Sequence, residues 1–284
     1  VDLGTKSGLK LGPASSMVNV AKSPKLKIKK AGSDGEKRQI NYLLFGESET
    51  GKTSVAANLA ASNHRVFVLF TDLGEDNGIS GAQVYANLKK SSDLFKENVG
   101  WAPLSYEEVN KFLDNPESII EGFWEFNPDF IIWDGFSFHQ QMNILPEVEE
   151  DINKGDSPEG KFDTYQGWGV TKNRTIRAID NFLSIRNPSG KPLHKIVTTA
   201  VKYGSEKVGP DKSEVRAKHE PDISGAASRI MRFGFDVVFE TIRSGEKFEY
   251  AMNISAATKR RFSLPEKMEA DFTKLHNNVL SQVN

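Results

Sequence analysis

A chain of 284 residues with a formal net charge of −1 is too evenly charged to coat nucleic acid by bulk electrostatics, and it is long enough for one large α/β domain. It has no cysteine, which excludes disulfides, thiolate nucleophiles and cysteine-held zinc or iron–sulfur groups; its five histidines, at 64, 139, 194, 219 and 276, lack metal-ligand spacing. No apolar run reaches the roughly 18 residues of a membrane span and no signal-peptide pattern opens the chain, so a soluble, cytoplasmic protein is expected.

Residues 1–38 are rich in Gly, Ser and Lys, with Lys22, Lys25, Lys27, Lys29 and Lys30 among few large apolar side chains. They predict a flexible basic arm, in which the alternation over 25–29 also suits a short edge strand. Residues 39–284 read as the folded domain. The apolar run 40–45 predicts a buried strand and 54–61 a helix. Between them Gly46, Glu47, Ser48, Glu49, Thr50, Gly51, Lys52 and Thr53 fit the phosphate-cradling pattern G-x-x-x-x-G-K-[ST]. Glycines at its two ends let the backbone curl so that N–H groups face inward, and the helix start running into Ser54 adds the positive end of its dipole. Lys52 is expected to neutralise β- and γ-phosphates, and the Thr53 hydroxyl to bind a magnesium ion shared with ATP.

Further along, 66–71 predicts a second strand ending in the acidic stretch Asp72, Glu75, Asp76, and 80–126 a region of mixed helix. Residues 130–133 form a short apolar strand closed by Asp134, the position from which a carboxylate orients magnesium. The polar stretch 140–164 reads as a long insertion, 166–185 as a helix, 195–200 as a strand and 202–222 as a second long polar loop. Strands over 236–242 and 248–254 meet at the turn 244–246, and Met268, Phe272, Leu275 and Val279 read as one face of a last helix. The predicted fold class is therefore α/β, a mostly parallel twisted sheet with helices on both faces and an antiparallel C-terminal hairpin. Ligands of such sheets lie beyond the carboxyl ends of the strands, where the phosphate loop, Asp72, Glu75, Asp134 and Thr199 should converge. Glu75 is the first choice and Asp72 the second for aligning the attacking water. Thr199 reads either as a γ-phosphate sensor or as a packing residue.

These motifs, with the segment 257–265, together resemble the RecA-type ATPase core. Similarity is greatest to phage-encoded AAA-domain nucleotide-binding proteins and RecA-like single-strand annealing ATPases, over about residues 39–272. The resemblance implies a phage-infected host cell and a homo-oligomer with nucleotide at its subunit interfaces. Lys259 and Arg261 match a K-x-R element that reaches the neighbouring subunit's nucleotide. It also implies that loops after the magnesium strand and the sensor strand hold single-stranded DNA. In the second of these stand Lys202, Tyr203, Lys207, Lys212, Arg216 and Lys218, cations and an aromatic suited to phosphates and stacking. The first loop departs from the pattern with Glu147, Glu149, Glu150 and Asp151, and the phosphate loop departs with Glu47 and Glu49. An ATPase assembling on single-stranded DNA is the leading expectation. A nucleotide-gated loader or adaptor with little hydrolysis is the alternative, and a small-molecule kinase ranks last because no Arg-rich lid segment is visible.

Overall fold

The apolar runs become the middle of one sheet because parallel strands covered on both faces have no solvent side to alternate toward. Strands β1 (Asn41–Gly46), β2 (Val66–Phe70) and β4 (Phe130–Asp134) are buried almost end to end. The computed structural model describes residues 38–71, 97–154, 164–208, 214–223, 227, 234–252 and 262–283, all within the unit Glu36–Asn284. The predicted basic arm, apart from Arg38, lies outside the described residues, as do Asp72, Glu75, Asp76, Lys212, Lys259 and Arg261.

The remaining strands are β3 (Val99–Pro103), β5 (His194–Thr199), β6 (Val201–Val208), β7 (Glu214–Pro221), β8 (Val237–Ser244), β9 (Lys247–Met252) and β10 (Lys267–Glu269). Eight of the ten form one sheet in the order β10-β9-β8-β1-β5-β4-β2-β3, and β6 and β7 form a separate antiparallel pair. From β3 to β8 every pairing is parallel; β9 turns back on β8 and β10 pairs antiparallel to β9. The expected α/β class, mostly parallel sheet and antiparallel C-terminal hairpin are all present. One strand, β5, separates the phosphate-loop strand from the strand that ends in Asp134.

Two cores cover the two faces. On one, helices α1 (Ser54–Ala61) and α7 (Phe272–Leu280) bury Val55, Leu59, Phe272, Leu275 and Val279 against Tyr42, Leu44 and Ile132. On the other lie α2 (Tyr106–Asp114), the short α3 (Phe123–Phe126) and α4 (Phe136–His139), then α5 (Leu145–Lys154) and α6 (Thr164–Ser184). Val109, Phe112, Val148, Ile179 and Phe182 pack there on Leu43, Phe67 and Trp133. Burying each such side chain is worth about 1.5–3 kcal/mol. α2 starts where it does because Ser105 and Glu108 form a reciprocal capping box, Ser105 N donating to Glu108 Oε2 at 2.8 Å. α7 starts at Asp271, whose carboxylate accepts from Lys274 N at 3.0 Å.

Four sequence expectations need correction. The mixed helical region 80–126 contains a strand, β3, hidden in the sequence by its Gly and Pro; Gly100 is the residue that fits under Phe67, since a Cβ there would stand 3.1 Å from the ring. The supposed insertion 140–164 is helical through Lys154, beginning with a five-residue π-type turn over Gln140–Ile144. Two of its acids have partners on α6: Arg174 pairs with Glu147 at 2.8 Å and with Asp151. The supposed loop 202–222 is the β6–β7 hairpin. Met268 belongs to β10 rather than to α7.

Candidate functional site

At the carboxyl edge of the sheet, β1 runs into the phosphate loop and α1 leaves it. The loop closes tightly. Gly46 is required by packing, because a Cβ would fall 2.3 Å from Thr241 Oγ1 on β8. Gly51 has φ +90 and Glu49 φ +62, the left-handed region that glycine tolerates and glutamate does not favour. Thr50 pins the curve, donating to Glu47 O at 2.8 Å and sharing a 2.6 Å hydrogen bond with Thr241 Oγ1. Lys52 Nζ folds back on the loop and donates to Gly46 O at 2.9 Å and to Glu47 O. Burial pushes its ammonium below the ordinary lysine range, opposed by the carboxylates of Asp134 and Glu47.

The second half of the site comes from β4 and β5. Thr53 Oγ1 donates to Asp134 Oδ2 at 3.1 Å across 81 residues of sequence. Thr198 Oγ1 donates to Asp134 Oδ1, and Gly135 N donates to Thr198 Oγ1 at 3.1 Å, so the acid's orientation is set from β5. Thr71, just after β2, donates through N to Asp134 O at 3.3 Å and accepts from Trp133 Nε1 at 3.1 Å. A hydroxyl and a nine-tenths buried carboxylate side by side are two hard oxygen ligands. They match magnesium, which takes one or two protein oxygens and completes its shell with phosphate and water. Among the described residues no cluster of three or more His, Asp or Glu could hold a metal by itself.

No family model matches the chain, and no curated protein matches it. The functional reading rests on these side chains.

Of the residues expected at the site, the structure brings together Gly46 through Ser54 and Asp134. Thr199 lies at the same edge with its hydroxyl buried and, among the described residues, without a hydrogen-bond partner. Its neighbour Thr198 makes the contact with Asp134, and sequence reasoning missed it. Strand alternation separates the two threonines by face, and the fold puts Thr198 with Ile196 on the α1 side of the sheet.

The β6–β7 hairpin rises directly from β5 and is tied to this edge. Tyr203 OH donates to Glu47 Oε1, a contact that lifts the phenol's pKa to about 12, and the Tyr203 ring meets His219 edge-on at 4.9 Å. His219 Nδ1 lies 2.8 Å from Glu240 Oε1 on β8. At the root, Ser137 on α4 donates to Asp222 O at 2.6 Å and accepts from Ala200 N at 3.0 Å. The element after Asp134 and the hairpin after β5 are thus joined. Lys202 is exposed on β6; Lys207 follows on β6, and β7 sets Arg216 opposite Glu206 and Lys218 opposite Gly204. Among the described residues no helix is long and apolar enough to cross a membrane.

Proposed function

We propose that this protein is a magnesium-dependent, RecA-like ATPase that assembles on single-stranded DNA in phage-type recombination or replication. The observation that carries the nucleotide reading is the 3.1 Å pairing of Thr53 Oγ1 with Asp134 Oδ2 beside Lys52, at the helix end of a G-x-x-x-x-G-K-[ST] loop. A phosphate chain entering the loop takes over Lys52 from the Gly46 and Glu47 carbonyls, and the loop N–H groups and Lys52 then balance its charge. Thr53 and Asp134 are the residues that would hold magnesium, which supplies charge neutralisation on the phosphates when bound. Thr198 keeps the carboxylate aimed.

The DNA reading is supported by the exposed Lys202 and Tyr203 on a hairpin rooted in the same edge, and assembly by the Lys259–Arg261 element of the sequence. A trans-acting cation would make turnover depend on assembly. One observation favours the loader or adaptor reading: Glu47 and Glu49 bring negative charge to a loop meant for a polyanion, and Tyr203 holds Glu47 there. That reading predicts ATP binding with negligible hydrolysis by the isolated chain.

The test is ATP binding and turnover with magnesium, with and without single-stranded DNA, read together with sedimentation. Lys52→Ala is expected to lose ATP affinity or turnover by about a hundredfold or more. Arg261→Ala should lower turnover while leaving binding intact. If ATP and magnesium produce neither oligomers nor salt-sensitive retention of single-stranded DNA, the assembly reading is wrong.

A further inference from the structure

The β8–β9 hairpin carries, at the start of β9, an aromatic ring that neither core uses. Phe248 is 39 % exposed and belongs to neither hydrophobic cluster. Pairing explains where it stands. The register of β8 on β1 reaches Gly46 opposite Thr241, so β8 continues two residues beyond the start of the phosphate loop to Arg243, which pairs with Phe248 across the β8–β9 ladder. The ring is set against the loop: a Cβ on Gly51 would lie 3.5 Å from Phe248 Cδ1. The Arg243 guanidinium carbon is 5.6 Å from the ring centroid, and its Nη1 is 4.0 Å from Glu49 Oε2. The ring also borders a cavity of about 610 Å³ whose wall includes Glu246, Lys247 and Glu249.

We propose that Phe248, backed by Arg243, is the platform on which the base of a nucleoside triphosphate stacks, and that the cavity beside it receives the nucleoside. The proposal rests on the nucleotide reading of the phosphate loop and adds what holds the other end of the ligand. A triphosphate gripped by the loop carries its nucleoside beyond the loop; of the two exposed aromatics set against the loop among the described residues, Tyr203 is tied through its hydroxyl to Glu47, and Phe248 leaves a ring face open beside Gly51. A π-face with a cation behind it favours stacking of a flat ring, which any base supplies and a purine supplies over the larger area. The carboxylates of Glu246 and Glu249 are acceptors for ribose hydroxyls or an exocyclic amino group. Packing against Gly51 alone would not call for this arrangement, since an aliphatic side chain fills the same contact without leaving an aromatic face in water.

The experiment compares the affinities of ATP and of inorganic tripolyphosphate, each with magnesium, by calorimetric titration of the full chain. The wild type should bind ATP more tightly than tripolyphosphate. Phe248→Ala and Phe248→Leu should each weaken ATP by about tenfold or more, within the range for base–aromatic stacking. Both should leave tripolyphosphate within about twofold, a change below 0.5 kcal/mol. Phe248→Tyr should restore ATP binding. The platform is refuted if the variants bind ATP as the wild type does, or if ATP and tripolyphosphate weaken together, which is what a ring that merely props the loop would give. Equal wild-type affinity for the two ligands also overturns it while leaving the phosphate site standing. Binding of neither ligand would instead bring down the nucleotide reading, and the platform with it.

Discussion

The two ends of the parallel sheet bury polar groups in opposite ways. At the carboxyl ends, Lys52 and Asp134 stand near the hydroxyls of Thr53, Thr71 and Thr198 where β1 runs into its loop. At the amino ends, buried polar side chains meet one another, aromatic rings and backbone groups. His194 and His276 stack edge-on with centroids 4.5 Å apart, His276 Nδ1 bonds Tyr42 OH at 2.6 Å, and His194 Nδ1 accepts from Ile40 N at 3.1 Å. His64 and Phe130 complete that cluster, with Asp129 and Lys191 at its rim. The carboxyl end gathers a lysine, a carboxylate and hydroxyls around a loop, whereas the amino end packs its buried histidines as rings and keeps its ion pairs, Arg38 with Asp236 and Lys191 with Asp129, at the rim.

Acidification is the strongest way to break this contrast. Burial pushes His194 down to about 4 and His276 to about 3, and lowers His64, with neighbouring histidines adding to the depression of the first two. The sign follows from linkage: the unfolded chain takes up protons near pH 6.5 that the folded chain refuses. The stability these histidines contribute is therefore complete above that pH and erodes as pH falls toward 4. His139 on α4, also lowered to about 4 by burial, acts in the same direction from the other core. Each of the three deeply buried histidines, His139, His194 and His276, costs roughly 1.4 kcal/mol per pH unit in that window, and the half-exposed His64 adds to it in the same direction. The urea midpoint should fall steeply between pH 6.5 and 5, and a flat midpoint would contradict the neutral, buried state of the cluster.

A smaller effect probes the carboxyl end. Thr198→Val keeps the shape of β5 but removes the donor to Asp134 Oδ1 and the acceptor for Gly135 N. Leaving buried polar groups short of a partner costs about 1–3 kcal/mol. Urea melts should register that loss, and magnesium-dependent turnover should fall further than ATP affinity, because the carboxylate loses its aim while the loop is intact. Equal losses in both would make Thr198 a packing residue.

The smallest change concerns the exposed link between hairpin and loop. Tyr203→Phe removes the hydrogen bond to Glu47 and should leave the urea midpoint unmoved, since surface contacts of this kind contribute little. The difference should appear only in how single-stranded DNA alters ATP turnover, and an unchanged DNA response would separate the hairpin from the phosphate loop.

Much of this was readable in the chain before folding. Mostly apolar runs at 40–45, 66–70 and 130–133 point to strands buried on two faces, and a loop of the form G-x-x-x-x-G-K-[ST] between the first of them and a helix is a local property of backbone and composition. Asp134 was legible because it closes such a run. Tertiary structure decided what depends on partners distant in sequence. The hairpin 201–221 looks like a polar loop until Ser137 holds its root. The acids at 147 and 151 look unpaired until Arg174 meets them from α6, at a surface that stays wet. Thr198 rather than Thr199 aims the carboxylate, a choice made by which face of β5 turns toward Asp134. Phe248 came to the phosphate loop by the register of β8 on β1, 197 residues beyond Gly51. Periodicity and short motifs are encoded within a few residues, whereas a long-range contact exists only after the chain has given up the entropy of closing the loop between its ends.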